Sequence, residues 1–186
     1  DDMVEYRLGA LGLVRERIAE GDSPSETIHA VVKRCFRDPS PEVRRRALEV
    51  AGILKDPGDA VDVLALRADE TDAEVIETIS RVLGRLENPV AVDVLVAELG
   101  DASASSSRTR EAAAAIGHLA ARGQIAPAAR ESVVLGLRAR FDSVADSDMP
   151  LKEALLGAMA YSGEQVFLPY FVANLSSDSP ELLLAA

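Results

Sequence analysis

The stretch DPSPEVRRRALEVAGILKD, Asp38–Asp56, predicts a turn, one amphipathic helix and a stop. Pro39 and Pro41 suit the turn and the first helical position, because proline fixes φ and lacks an N–H group. Ser40 is the expected N-cap. Gly52 weakens a helix, so it predicts close approach to a neighbouring helix. Apolar residues recur at helical spacing on one face: Val43, Ala47, Val50, Ala51 and Leu54.

Weaker copies of this stretch return further along the chain. Sliding it forward places Gly52 on Gly84, and a longer shift places it on Gly117. The segment that follows repeats literally, because AVDVL occurs at Ala60–Leu64 and again at Ala91–Leu95. Repeats of roughly 30–45 residues with two helices each are typical of an α-solenoid.

The pattern D-x-x-x-x-V-R, then A-L-x-x-A-G-x-L-x-D-P and A-V-x-x-L, resembles the HEAT repeat, most closely the short HEAT-like form of phycobilisome lyases. The resemblance covers about residues 24–175. Later copies depart from it: Ile76 stands where the first copy has Arg44, so any Asp–Arg ladder between repeats should be interrupted. The match is carried in the first copy by these residues: Asp38, Val43, Arg44, Ala47, Gly52, Leu54, Asp56, Pro57, Ala60, Val61 and Leu64.

We predict an all-α fold, an α-solenoid of about five antiparallel helical hairpins. It should run as a single HEAT-like superhelical array over residues 1–186. The predicted helix pairs are, in order: Met3–Glu20 with a helix from Pro24 or Ser25 to Arg37, Pro41–Leu54 with Pro57–Ala68, Asp72–Leu86 with Pro89–Leu99, Arg108–Ala121 with Pro127–Phe141, and Pro150–Tyr161 with Glu164–Leu175.

Further predictions concern the connections between the helices and the end of the chain. Ser23 is expected to cap the second helix. The polar stretch Gly100–Ser107 predicts a slack loop, with a protruding binding or phosphorylation loop as the alternative. Ser179–Leu182 echoes Ser40–Val43, so we expect either that the chain belongs to a longer array or that its last helix caps the stack.

Composition excludes several classes of function. A net charge of −11 opposes nonspecific binding to nucleic acid and to anionic membrane surfaces. No apolar run reaches the length of a membrane span. The single Cys35 excludes an internal disulfide and favours a reducing, cytoplasmic location. The chain starts at Asp1 without Met, so a removed N-terminal signal stays open.

The resemblance implies that the second helix of each hairpin lines the concave face of the array. Near Asp62 and Asp93 this face should be acidic and favour a cationic protein segment, with an ordinary solvated helix face as the alternative. The helices were aligned on Leu64, Leu95, Leu135 and Phe171. This alignment yields the candidate protein-binding residues Asp62, Arg67, Asp93, Glu98, Arg138 and Asn174.

No residue set indicates a catalytic, metal or cofactor site. His29 and His118 are isolated, and neither is followed by Glu as in HEAT-repeat dimetal hydroxylases. Cys35 would need a cationic neighbourhood to be a reactive thiolate, so an ordinary helix cysteine is favoured. Arg44 is expected to pack across an inter-repeat turn near an acidic group, while Arg45 and Arg46 should be solvated on the outer face.

Three functions are consistent with such repeats. The favoured one is a noncatalytic scaffold whose curved helical surface binds a protein or peptide. The resemblance to bilin lyases implies an alternative, a lyase or lyase subunit, but no active-site motif transfers with it. HEAT-like DNA glycosylases form a third class, which needs a basic groove that this acidic chain is not expected to supply.

Overall fold

The computed structural model describes residues 2–175, and every regular element within them is helical. The predicted all-α class is therefore confirmed. The helices are α1 Asp2–Ala19, α2 Glu26–Cys35, α3 Pro41–Leu54, α4 Asp59–Asp69, α5 Ala73–Arg85, α6 Val92–Gly100, α7 Ser106–Ala121, α8 Arg130–Ser143, α9 Met149–Ser162 and α10 Leu168–Leu175. Short 3₁₀ turns precede three of them: Pro89–Ala91, Pro127–Ala129 and Gln165–Phe167. The repeat start expected at Ser179–Leu182 lies outside the described residues.

The chain divides into two compact units, Asp1–Asn88 and Pro89–Ala186. In the first unit, α3 packs against α1, α2 and α5, and α4 packs against α5. In the second unit, α7 packs against α6 and α9, and α8 packs against the same two helices. Each unit thus stacks neighbouring helical hairpins as an α-solenoid does. That both units belong to a single array stays a prediction.

Helix α3 matches the bounds predicted from its proline start and apolar face. Val43, Ala47, Val50 and Ala51 are fully buried, whereas Leu54 is half-buried at the end of the helix. Burying this face is the main favourable contribution of the helix to folding, because a helix of this length is marginal by itself.

Two glycines allow neighbouring helices to approach closely, as predicted for Gly52. A Cβ atom on Gly52 would lie 3.3 Å from Val82 Cγ2. A Cβ atom on Gly117 would lie 3.1 Å from the Cα atom of Ala158, which belongs to the backbone of α9. Side-chain atoms can yield at the first contact, but backbone must shift at the second.

The expected serine caps are wrong in detail. Ser40 occupies the N-cap position of α3, but its side chain makes no capping hydrogen bond. Instead Asp38 Oδ1 accepts a hydrogen bond from the Ser40 N–H at 2.9 Å. Helix α2 begins at Glu26 after Ser25, so Ser23 lies too far upstream to cap it.

The stretch Gly100–Ser107 is a hydrogen-bonded turn rather than a slack loop. Asp101 Oδ1 accepts hydrogen bonds from the Ser103 backbone N–H at 2.9 Å and from the Ser103 hydroxyl at 2.6 Å. Ser105 Oγ accepts from the Arg108 N–H at 3.2 Å, and α7 therefore begins at Ser106. The serines act as turn and cap residues, which their short polar side chains favour.

Candidate functional site

An open cleft in the first unit lies between the second helices of two successive hairpins, and we call it the α2–α4 cleft. It has a volume of about 740 Å³. Its lining combines charged side chains with the apolar surface of Phe36, Ala65 and Leu66. Its other lining residues are Lys33, Arg34, Arg37, Asp38, Arg44, Asp62, Asp69, Glu70 and Thr71.

Lys33 joins the two helices at one side of the cleft. Its Nζ atom lies 2.9 Å from Asp59 Oδ1 and 3.1 Å from Asp62 Oδ2. Asp59 is only 1% exposed, so the ammonium compensates a carboxylate that water barely reaches. Hydrogen bonding to Asp59, and then to Asp62, raises the pKa of Lys33. The lysine is therefore a firmly charged link between α2 and α4.

Arg44 closes the other side of the cleft by binding Glu70, the C-cap residue that follows α4. Its Nε and Nη2 atoms donate to the two carboxylate oxygens at 2.7 Å and 2.8 Å. Its Nη1 atom also donates to the Asp38 carbonyl oxygen at 2.8 Å. The predicted position of Arg44, across an inter-repeat turn beside an acidic group, is confirmed. Because both sides are fixed by ion pairs, the cleft is formed before any ligand arrives.

The expected ladder of ion pairs is present in part. Arg7 Nε lies 2.8 Å from Asp38 Oδ2, one hairpin before the Arg44–Glu70 pair. Ile76 stands at the next position, so the ladder is interrupted there, as predicted. Arg45 and Arg46 are half-buried and both pair with Glu49, which corrects the expectation that they are simply solvated.

The candidate residues predicted for a concave face lie in different settings. Asp62 and Arg67 are half-buried on α4 in the first unit, and Asp62 is bound by Lys33. In the second unit, Asp93 and Arg138 are exposed. Asn174 Nδ2 donates to the Tyr170 carbonyl oxygen at 2.7 Å. The protein-binding role of these residues stays a prediction.

Glu98 is the exception, because it is not on an accessible face. Its side chain is buried, and Glu98 Oε1 lies 3.6 Å from Arg108 Nη2. It follows Leu95 by three residues and precedes Leu99, both of which are buried, so all three share the inward stripe of α6. The carboxylate therefore belongs to an internal ion pair, and the surface expected at this position is wrong.

The two copies of AVDVL differ by one residue in their register relative to the buried faces of α4 and α6. Ala60 and Val63 are buried on α4, and the matching buried pair on α6 is Val92 and Leu95. Asp93 therefore corresponds to the exposed Val61 rather than to Asp62. One residue turns a helix by about 100°, so this offset moves a side chain to a different face.

Leu135, on which α8 was aligned, does not lie on the inward face of that helix either. Leu135 is 57% exposed, whereas Val133 and Leu137 on either side of it are buried. An alignment on Leu135 therefore combines inward positions of some helices with outward positions of others.

Cys35 is a half-buried thiol in an apolar surrounding. Burial is the main cause that raises its pKa. The negative charge of Asp38 raises the pKa further, whereas the positive charges of Arg7 and Arg34 lower it. The thiolate is disfavoured, which agrees with an ordinary helix cysteine.

His29 is less isolated than its sequence context suggests. Its Nδ1 atom lies 4.0 Å from Asp56 Oδ2. His29, Asp56 and Asp59 form one cluster of side chains of the kind that can ligate a metal ion. His29 lies on α2, Asp56 in the turn before α4 and Asp59 at the start of α4, so only folding brings them together. Lys33 already compensates Asp59, and we assign no ion to this group.

Comparison with known proteins identifies the repeats. No curated protein matches the chain. No helix within residues 2–175 has both the length and the apolar character needed to cross a membrane. Residues 28–117, which include α3 to α6 with the α2–α4 cleft, match the family model of HEAT repeats. Residues 28–117 of the chain are therefore HEAT repeats.

Proposed function

We propose that this chain is a noncatalytic protein-interaction scaffold and that its first unit holds a partner segment in the α2–α4 cleft. HEAT repeats are in general protein-binding scaffolds, and the family match covers both helices that form the cleft. The observation that carries the proposal is the cleft itself, which is about 740 Å³ and is held open by ion pairs at both sides.

The chemistry of the cleft suits a protein segment. Ala65 is exposed and Leu66 is half-buried, so the α4 wall offers apolar surface to an aliphatic side chain. Charged groups surround this surface and can fix the orientation and register of a bound segment. A preformed groove with apolar floor and polar rim is the usual form of a helical-repeat binding site.

Two finer predictions remain part of this proposal. A cationic partner segment is proposed only for the surface around Asp93 in the second unit, because Lys33 already compensates Asp62 in the first. A cytoplasmic location and the absence of nucleic acid among the partners also stay predictions. No feature of the described residues favours the lyase alternative, and the raised pKa of Cys35 opposes a nucleophilic role for its thiol.

Site-specific photo-crosslinking tests the scaffold. A benzophenone amino acid is placed at Ala65, which lines the cleft, and at Ala68 as the matched control. Ala68 is an exposed alanine of the same helix that lies outside the cleft lining. We expect a discrete protein adduct from native cell extract at Ala65 and a much weaker one at Ala68. Equal labelling at both positions, or no protein adduct at Ala65, would reject the proposed cleft.

A further inference from the structure

We infer that the α2–α4 cleft selects an acidic protein segment and that Arg34 and Arg37 bind its carboxylates. This inference rests on the proposed scaffold function and names the chemical class of its partner. It differs from the cationic partner expected from the sequence, because Lys33 already binds Asp62, while Arg34 and Arg37 are exposed on the α2 side of the cleft.

The cations of the cleft fall into two pairs. Lys33 and Arg44 are engaged by carboxylates that are nearly inaccessible, those of Asp59 and Glu70. Arg34 and Arg37 are exposed, and neither forms an ion pair within residues 2–175. Both nonetheless line the same cleft. They are therefore the positive groups that a ligand can reach.

The anions of the cleft are compensated in part. Arg44 binds Glu70, Lys33 binds Asp62, and Arg7 binds Asp38, whose side chain is only 9% exposed. Asp69 is exposed, and Asp62, whose side chain is 47% exposed, shares the single charge of Lys33 with Asp59. Both of these acids lie on α4, whereas Arg34 and Arg37 lie in and just after the last turn of α2. The available cations are therefore grouped on one side of the cleft, although the whole chain carries a net charge of −11.

Arginine suits this role by its geometry. A guanidinium presents parallel N–H donors that match a carboxylate in a bidentate pair. Arg34 lies in the last turn of α2 and Arg37 follows the end of that helix. The apolar surface of Leu66 lines the same cleft. The arrangement fits a segment in which Asp or Glu residues flank an aliphatic side chain.

Nucleic acid fits less well than protein. Tight binding to phosphates uses about six to ten cationic contacts, and this cleft offers two. Asp62 and Asp69 on α4 would also face a polyanionic backbone, whereas a protein segment can place apolar or neutral groups beside them.

Selection from a random library tests the inference without a known partner. A phage-displayed library of random 12-residue segments is selected on the immobilised chain at about 0.15 M salt, where the Debye length of about 8 Å screens the distant charges of the chain. We expect Asp and Glu to be enriched in the selected pool. Selected peptides are then synthesised, and their affinities are measured by fluorescence anisotropy.

Two charge-matched variants locate the binding. We expect Arg34→Glu/Arg37→Glu to weaken the selected peptides by about tenfold or more, since each charge-assisted contact is lost and replaced by repulsion. Arg15→Glu/Lys55→Glu makes the same change of charge at exposed positions outside the cleft and should alter affinity less than about twofold. If the reversal unfolds the chain, Arg34→Gln/Arg37→Gln replaces it.

The outcomes separate this inference from the scaffold function. A pool without enrichment of Asp and Glu, or equal weakening by both variants, overturns it. Capture of a single-stranded oligonucleotide through Arg34 and Arg37 also overturns it. Selection of basic or neutral segments whose crosslinks map to Ala65 would reject the acidic partner and retain the scaffold. Loss of the Ala65 adduct from native partners would instead reject the scaffold.

Discussion

Arg44 and Glu70 form a bidentate ion pair between the start of α3 and the end of α4, with donor–acceptor distances of 2.7 Å and 2.8 Å. The Glu70 side chain is 2% exposed and the Arg44 side chain is 16% exposed. Glu70 also accepts the backbone N–H groups of Thr71 and Asp72. One side-chain pair therefore fixes the turn into the next repeat and one side of the cleft.

Removal of the arginine should be strongly destabilising. We expect Arg44→Met to lower the free energy of unfolding by about 3–5 kcal/mol, because the buried carboxylate loses its compensating charge. Equilibrium urea denaturation followed by circular dichroism gives the change. Arg45→Met is the matched control, since its pair with Glu49 is partly exposed and should contribute less than about 1 kcal/mol. Similar losses for the two variants would contradict the structural role of the pair.

The same carboxylate should make stability depend on pH. Burial opposes ionisation of Glu70, but the Arg44 guanidinium and the backbone N–H groups of Asp72 and Thr71 outweigh it and lower its pKa. A lowered folded pKa contributes stability that is complete above the unfolded value of about 4.3 and is lost as pH falls through the folded value.

We therefore expect the free energy of unfolding of Glu70→Gln to fall less steeply below about pH 4.3 than that of the parent chain. Urea denaturation between neutral and acidic pH measures this difference. Glu42→Gln, at an exposed position in the first turn of α3, provides the control. An unchanged acid limb in Glu70→Gln would show that other carboxyl groups dominate.

Lys33 provides a second test of buried charge. We expect Lys33→Met to reduce the free energy of unfolding by about 3 kcal/mol or more, because Asp59 keeps a buried charge without its ammonium partner. Asp62→Asn removes the outer carboxylate, which is 47% exposed, and should change stability by less than about 1 kcal/mol. If Asp62→Asn had the larger effect, the inner pair would not be the structural one. Thermal and urea denaturation are suitable measurements.

The close contact at Gly117 predicts opposite effects for two glycine substitutions. Gly117→Ala places a Cβ atom 3.1 Å from the Cα atom of Ala158, so we expect a loss of about 1–3 kcal/mol despite better helix propensity. Gly157→Ala on α9 meets no atom within 4 Å and should gain about 0.5–1 kcal/mol. Differential scanning calorimetry should show the two melting temperatures moving apart. Equal shifts would argue against tight packing of α7 on α9.

Cys35 should react slowly with thiol reagents. Burial raises its pKa, and the charge of Asp38 adds to this effect, so little thiolate is present near neutral pH. We expect reaction with Ellman's reagent at pH 7.5 to be several-fold slower in the folded chain than in urea. Asp38→Asn should increase the folded rate by removing the nearby negative charge. A folded rate equal to that of the unfolded chain would contradict the protected setting of the thiol.

Secondary structure was predictable because local patterns are strong in this chain. Helix α3 was predicted with the bounds Pro41–Leu54 that it has in the structure, since proline, apolar period and glycine all agree. The packing role of Gly52 was predictable for the same reason. The Ser40 cap was not, because a residue at the N-cap position can also adopt a side-chain rotamer that does not reach the N–H groups of the first turn.

The candidate site was less predictable from the amino-acid sequence. AVDVL is a literal repeat, yet the buried positions show that its two copies differ by one residue in register. The sequence marked Glu98 as a surface acid, whereas Leu95 and Leu99 place it on the inward stripe of α6. Similar residues at equal spacing therefore did not mean equal environments.

An all-α repeat fold follows from the residue order alone, because helical periodicity, proline starts and close-packing glycines are local properties that recur along the chain. The charges that remain available to a ligand depend instead on how the helices pack. Lys33 meets Asp59 and Asp62, and Arg44 meets Glu70, across helices that are separated in sequence. Arg34 and Arg37 stay exposed in the same cleft. Charge pairing depends on distances of a few ångströms, which hairpin packing sets and residue order does not reveal.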